Sequence, residues 1–183
     1  MRMLFKKTFL KNGKKIEVLF REPKLSDAPL LLKFINSLIE EKAYLGYQKK
    51  FKLKQEKVWL KIKIKELRTK NYVHIIALNN NAVVGSATVE KDKQAASHVG
   101  VFGIAIAKDY RGVGLGKFIM NLTIKQAKKQ IKSEIIRLHV YSPNKPAIAL
   151  YKKLGFKNVG TIPKGIKHHG KYMDDIIMYK KIK

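Results

Sequence analysis

The chain has 183 residues, 45% of them hydrophobic, enough to fill the core of one ordinary domain. It contains no cysteine, which excludes a disulfide framework, a thiolate nucleophile and a thiolate metal site. Forty basic against thirteen acidic side chains give a net charge of +27, a field that favours nucleic acid, anionic lipid or a phosphorylated cofactor.

The charge is mostly lysine, 35 residues against five arginines. Lysine is a hydrated point charge, whereas base readout and bidentate phosphate clamps lean on arginine. The charge is also spread along the whole chain, so most of it reads as a solvated surface. The opening "MRMLFKKTFLKNGKK" has no apolar core of signal-peptide length, and no run reaches the roughly 18 apolar residues of a membrane span. The sequence therefore predicts a soluble, cytoplasmic protein with no membrane partner. No linker-like segment or repeat divides it, so residues 1–183 are expected as a single domain.

In chain order, "KIEVLF" from Lys15 to Phe20 reads as a strand. A helix follows in "REPKLSDAPLLLKFINSLIEEK", with Ser26 as N-cap, Asp27 in the first turn, and Leu31, Phe34, Ile35, Leu38 and Ile39 at helical spacing. "QEKVWLKIKIKELRTKN" alternates like a strand from Lys61 to Lys65, but its uninterrupted length predicts a helix with Trp59 packed beneath it. "YVHIIAL", "NNN" and "AVVGSATV" predict a hairpin whose turn uses the left-handed tolerance of Asn79 to Asn81.

A strand from about His98 to Ala107 then meets a helix from about Gly114 to Gln130. That helix is expected to bury Phe118, Ile119, Leu122 and Ala127 and to show Lys125, Lys128, Lys129 and Lys132 to solvent. A strand "EIIRLHVY", a helix "PAIALYKKLG" launched from "SPN", and two strands around "FKNVGTIPKG" and "DDIIMYKKI" complete the chain. Antiparallel strands first and strand–helix–strand units afterwards make a mixed α/β sheet.

The corner in "VFGIAIAKDYRGVGLGKFIM" carries chemistry. A strand that ends at the mouth of a helix exposes backbone N–H groups at the positive end of the helix dipole, an anion site. Gly112, Gly114 and Gly116 let a ligand approach the backbone, and Arg111 and Lys117 bracket them with charge. The spacing is not that of the P-loop, because Arg111 and Phe118 stand where Gly and Ser or Thr belong. Nor is it G-x-G-x-x-G, since these glycines fall at every second residue.

Some 30 residues later comes "NKPAIALYKKLGF". Together the two segments resemble the GCN5-related N-acetyltransferase (GNAT) superfamily, with Arg111, Gly114 and Gly116 matching its Q/R-x-x-G-x-G/A acetyl-CoA loop. The resemblance covers roughly residues 15 to 182. It implies a mostly antiparallel central sheet of about seven strands flanked by about four helices, and acetyl-CoA as co-substrate without a metal.

The resemblance also implies roles. Backbone N–H groups from Gly112 through Val113, Gly114, Leu115 and Gly116 to Lys117 would hold the diphosphate, with Arg111 supporting the turn. The strand at Ile104, Ala105 and Ile106 would pair with the pantetheine arm. Asn144 would hydrogen-bond the cofactor, and Tyr151 would protonate the departing sulfur, a phenol titrating ordinarily near 10. A glutamate that some family members carry five residues before Asn144 is His139 here, so His139 is one candidate base and Glu90 the other.

Simpler roles accompany these. Tyr151 sits at helical spacing with Ala147, Ile148 and Leu154 as a core-edge aromatic would, and Asn144 could be an N-cap. Gly155 and Phe156 suit a helix C-cap and a core anchor. His168 and His169 are adjacent, so in a strand they would face opposite sides and share no metal. The acceptor is an amine of open identity: a protein N-terminus or lysine, a polyamine, which the positive field disfavours, or a small amine. The rival function is a basic nucleic-acid- or ribosome-associated binding protein, supported by charge alone.

Overall fold

The computed structural model describes residues 3–182. Its organisation follows from one strand, Tyr72–Asn79, whose first seven residues are all buried. A strand apolar on both faces has to be covered on both faces. In chain order the elements are β1 Met3–Lys11, β2 Lys14–Arg21, α1 Ala28–Glu40, α2 Leu53–Arg68, β3 Tyr72–Asn79, β4 Ala82–Lys91 and β5 Val99–Ile106. After these come α3 Leu115–Gln130, β6 Ile135–Tyr141, α4 Lys145–Lys153, β7 Lys157–His168 and β8 Lys171–Lys181. The eight strands form one sheet in the order β1-β2-β3-β4-β5-β6-β8-β7, antiparallel at every pair except β5 and β6.

Two apolar clusters hold the layers. On one face Ile119, Met120 and Ala127 of α3 and Tyr151 of α4 pack on Val73, Ile75, Ala87, Val89 and Leu138 of the sheet. On the other, Leu31, Phe34 and Leu38 of α1 and Leu60 of α2 pack on Ile76, Leu78 and Val83. Among the described residues no helix is long and apolar enough to cross a membrane.

The mixed α/β sheet matches the expected architecture, with eight strands where about seven were expected. The strand additional to the sequence reading is β1, joined to β2 through Asn12 and Gly13, both with positive φ. Its Phe5 and Phe9 rings surround Phe118 together with Phe20. That use of Phe118 leaves it and Leu122 half-buried, while Leu115, Met120, Thr123 and Ile124 join Ile119 and Ala127 on the buried side of α3.

Ser26 is not the N-cap of α1. Residues Leu25–Asp27 form a single 3-10 turn, and the helix starts at Ala28. Asp27 accepts the Lys24 N–H at 2.7 Å and takes the Arg21 guanidinium at 2.6 and 2.8 Å, a bidentate pair with both side chains buried. Burial alone would raise the Asp27 carboxyl, but the Arg21 hydrogen bonds and the Lys24 N–H outweigh it and hold the group below its ordinary value. In the β3–β4 hairpin the left-handed residues are Asn80 and Asn81, and Asn79 belongs to the strand. Gly155, at φ +85°, closes α4, and Phe156 behind it is buried, as expected.

Glu56 lies on the inner side of α2, and burial pushes its carboxyl up to about 7. In the unfolded chain it titrates at 4.5, so the stability present below that pH is lost as pH rises through the folded value. Glu56→Gln should therefore be more stable than the parent at about pH 8, by on the order of 1–3 kcal/mol, and equal to it at about pH 4. Thermal melting of both proteins at the two pH values measures this, and equal melting at both would contradict it.

Candidate active site

The site begins with a strand that loses a neighbour. β5 pairs with β4 from Gly100 to Ile106, but with β6 only at Val99–Val101 against Ile135–Arg137. Beyond that point β6 stays with β8 along Ile135–Tyr141, and the β6-facing edge of β5 runs on without a strand partner. A cavity of about 710 Å³ borders this edge and is lined there by Ile104, Ala105 and Ile106.

One wall is the turn that follows β5. Gly112 and Gly114 adopt φ of +77° and +85°, and Gly114 is the residue from which α3 departs. The first helical bond runs from the Phe118 N–H to the Gly114 carbonyl, so the N–H groups of Leu115, Gly116 and Lys117 precede the ladder. A Cβ at Gly112 or Gly114 would meet nothing within 4 Å. Gly112, Gly114, Gly116 and Lys117 all line the cavity. Val113 and Leu115 instead turn their side chains into the core, which leaves only their backbone available.

Arg111 braces the turn by donating from Nε to the Ile106 carbonyl at 3.0 Å. Its guanidinium also forms an ion pair with Glu41, just past the end of α1. That contact was not legible in the sequence, and neither was the third wall it belongs to, Glu41 to Leu45.

Across the cavity stands α4. Asn144 caps it, its Oδ1 accepting from the Ala147 N–H at 3.4 Å, and it also lines the cavity. Tyr151, 7% exposed, lines the same cavity, and no group among the described residues hydrogen-bonds its hydroxyl. Burial raises that hydroxyl to about 12, above the ordinary phenol value the sequence reading assigned.

A second cavity of about 470 Å³ shares Leu45, Ile104 and Ala105 with the first. Tyr47, Trp59 and Tyr72 wall it, and Ser86, Thr88 and Glu90 line it from alternate positions of β4. Trp59 packs against the core beneath α2, as expected, and being half-buried it also lines this cavity. The Lys63 ammonium donates to Glu90 at 2.9 Å and to Glu66 at 2.8 Å. Burial works against that ammonium, and the two carboxylates outweigh it, so its pKa is raised. Behind Ser86, the buried His74 places Nε2 2.9 Å from the serine Oγ, and burial pushes the imidazole down to about 3.

His139 lines neither of these two cavities. It is exposed on β6, and its Nδ1 lies 2.8 Å from Oδ2 of Asp175. His168 and His169 do not point to opposite sides. His169 sits in the β7–β8 turn at positive φ, and the two rings lie 4.5 Å apart, edge to face. His168 Nε2 donates to the Ala43 carbonyl at 3.1 Å.

The comparisons agree with this architecture. The model of the acetyltransferase (GNAT) family matches residues 35–156, and the chain belongs to that family. An acetyltransferase of the GNAT family from Streptococcus pneumoniae superposes with a TM-score of 0.81 at 25% identity, covering 90% of this chain and 99% of that one. The yncA protein from Salmonella typhimurium, solved with its cofactor acetyl-CoA, shares the fold at a TM-score of 0.80 and 16% identity, covering 91% of this chain and 94% of its own.

By sequence the chain is similar to the L-amino acid N-acetyltransferase AaaT of Escherichia coli, 31% identical over 105 residues. That match covers 57% of this chain and 65% of the relative. An N-alpha-acetyltransferase of Sulfurisphaera tokodaii is 40% identical over 62 residues, covering 34% of this chain and 37% of the relative. The chain thus spans less than two thirds of the length of these curated relatives.

Gly114→Val should strain the left-handed turn and put a branched side chain into the open space above it. Titration calorimetry with coenzyme A should then show an affinity loss of about a hundredfold or more, on the order of 3 kcal/mol. Unchanged affinity would remove this turn from the binding site.

Proposed function

We propose that the chain moves the acetyl group of acetyl-CoA onto a primary amine by direct attack, and that residues 1–183 act as one acetyltransferase domain. One observation carries the reading: an open strand edge, a helix N-terminus cleared by two left-handed glycines, and a buried phenol line one cavity. The open Cβ directions at Gly112 and Gly114 and the unpaired edge of β5 fit a diphosphate followed by an extended amide chain. A structural neighbour solved with acetyl-CoA supports the same co-substrate.

In this reading the N–H groups from Gly112 to Lys117 hold the diphosphate at the positive end of α3. Lys117 adds charge, and Arg111 keeps the turn fixed to Ile106. The backbone of Ile104, Ala105 and Ile106 hydrogen-bonds the pantetheine amides as a neighbouring strand would. Asn144 uses its Oδ1 on its own helix, which leaves its amide N–H groups for the cofactor.

Acetyl-CoA supplies a thioester whose carbonyl carbon accepts the amine. A new C–N bond forms as the C–S bond breaks, and Tyr151 gives its proton to the departing sulfur. A phenol held near 12 stays protonated through neutral pH, the state a donor needs. The absence of cysteine suits a route without an acyl-enzyme.

The amine loses one proton, and in this reading Glu90 takes it; that Glu90 lines the same cavity as the Ile104–Ala105 edge supports the role. A water between them fits a cavity of that size. A specific observation also favours His139: Asp175 engages its Nδ1, which leaves Nε2 free to accept a proton. Relatives named as an L-amino acid N-acetyltransferase and N-alpha-acetyltransferases support an α-amino group as acceptor.

Coenzyme A release across amino acids, short peptides and polyamines measures the activity, and no turnover with any amine would overturn the reading. Tyr151→Phe should lower kcat about a hundredfold or more while the acetyl-CoA Kd stays within about twofold. An unchanged kcat would remove Tyr151 as the acid. Glu90→Gln should lower kcat on a similar scale; a loss found only in His139→Gln would move the role of base to His139.

A further inference from the structure

Part of the positive charge that the cavities leave unused is ordered along one helix. On α2, Lys54, Lys57, Lys61, Lys65 and Arg68 are all exposed, and none makes an ion pair among the described residues. Three or four residues separate each from the next, so they form a single stripe about 20 Å long with a cation about every 5 Å. The acidic residues of the helix do not neutralise it: Glu56 is buried on the inner side, and Glu66 is paired to Lys63.

Most of this arrangement does nothing for the helix itself. Like charges one turn apart repel, and Lys54 in the first turn sits at the end where the helix dipole disfavours cations; only Lys65 and Arg68, in the last turn, are favoured by it. The lysines of α3 differ. Lys125, Lys128 and Lys129 lie toward its C-terminal end, where the dipole favours cations, so the fold accounts for them.

We infer that the outer face of α2 is a docking ridge for a nucleic-acid strand, held through its phosphates without reading its bases. Four of the five cations are lysine, the point-charge contact for phosphate, and their spacing is close to that of successive phosphates on an extended strand. A lipid surface fits less well, because an interfacial helix presents its large apolar face outward. Here Trp59 and Leu60 are turned toward the sheet, and the apolar side chains exposed on α2, Leu53, Val58 and Ile62, lie on either side of the stripe and form no continuous face. Trp59 and Lys63 on the opposite side of α2 line the second cavity. A strand on the ridge therefore lies about one helix diameter from that cavity without covering it.

The test is fluorescence anisotropy with a labelled oligo(U) of about 15 nucleotides, titrated at several salt concentrations. Five phosphate contacts give a slope of log K against log salt of about −3.5, and Lys54→Glu/Lys61→Glu/Lys65→Glu should reduce it to about −1.4 with more than a tenfold loss of affinity. Lys125→Glu/Lys128→Glu/Lys129→Glu changes the net charge equally and should cost less than about threefold. Coenzyme A affinity measured on both variants reports whether each is folded, and Lys54→Gln/Lys61→Gln/Lys65→Gln replaces the first if it is not. Equal losses from the two helices would assign binding to the overall field and overturn the ridge. Binding to phosphatidylserine vesicles without binding to oligo(U) would overturn it in favour of a lipid surface.

Discussion

The separation of β5 from β6 is the constraint on which the rest of the cleft depends. A strand edge inside a protein carries N–H and C=O groups that need partners, and here only three residue pairs supply them on that side. Two elements start from the diverging ends. The Gly112–Gly116 turn follows β5, and Asn144 with α4 follows β6, so the divergence that opens the edge also parts the two walls facing it. Strand, turn and helix become three surfaces of one cavity because they all begin at this split.

The third wall is tied down from far away in the chain. The segment between α1 and α2 has no regular structure of its own from 43 to 52, and its polar groups are met by distant elements. The Tyr141 hydroxyl donates to the Leu45 carbonyl at 2.7 Å, and His168 donates to the Ala43 carbonyl. Gln48 donates to the Lys167 carbonyl at 2.9 Å and accepts the His169 N–H at 2.8 Å. Burial and the neighbouring His169 hold the His168 imidazole below its ordinary value, which suits a neutral ring used as a donor. The β7–β8 hairpin thereby fixes a loop that borders both cavities, and the ion pair of Glu41 with Arg111 joins the loop to the glycine turn.

Legibility in the sequence followed the range of the forces involved. The Gly112–Gly116 turn and the helices after it were readable because backbone conformation and helical period are local, and the same holds for the Asn80–Asn81 hairpin. Strand β1 was not read, because its Lys-rich alternation has no continuous apolar face, and its partner Phe118 lies more than a hundred residues on. Ser26 looked like a cap because its residue type suits one, whereas Asp27 was drawn into a buried pair with Arg21 that no local pattern announces. The Glu41–Arg111 pair and the His168 anchor span 70 and 125 positions and have no signature at all. Tyr151 was legible as a residue but not in its environment: the rise to about 12 comes from burial that only the folded chain creates.

The central claim is that the open edge of β5 and the turn after it together hold one extended, diphosphate-bearing ligand. A crystal structure of the chain with acetyl-CoA tests it most directly. The account predicts amide hydrogen bonds from the ligand to the backbone of Ile104 to Ile106, diphosphate oxygens on the N–H groups between Gly112 and Lys117, and the sulfur beside Tyr151. A ligand bound elsewhere, or one whose chain does not run along β5, would contradict it.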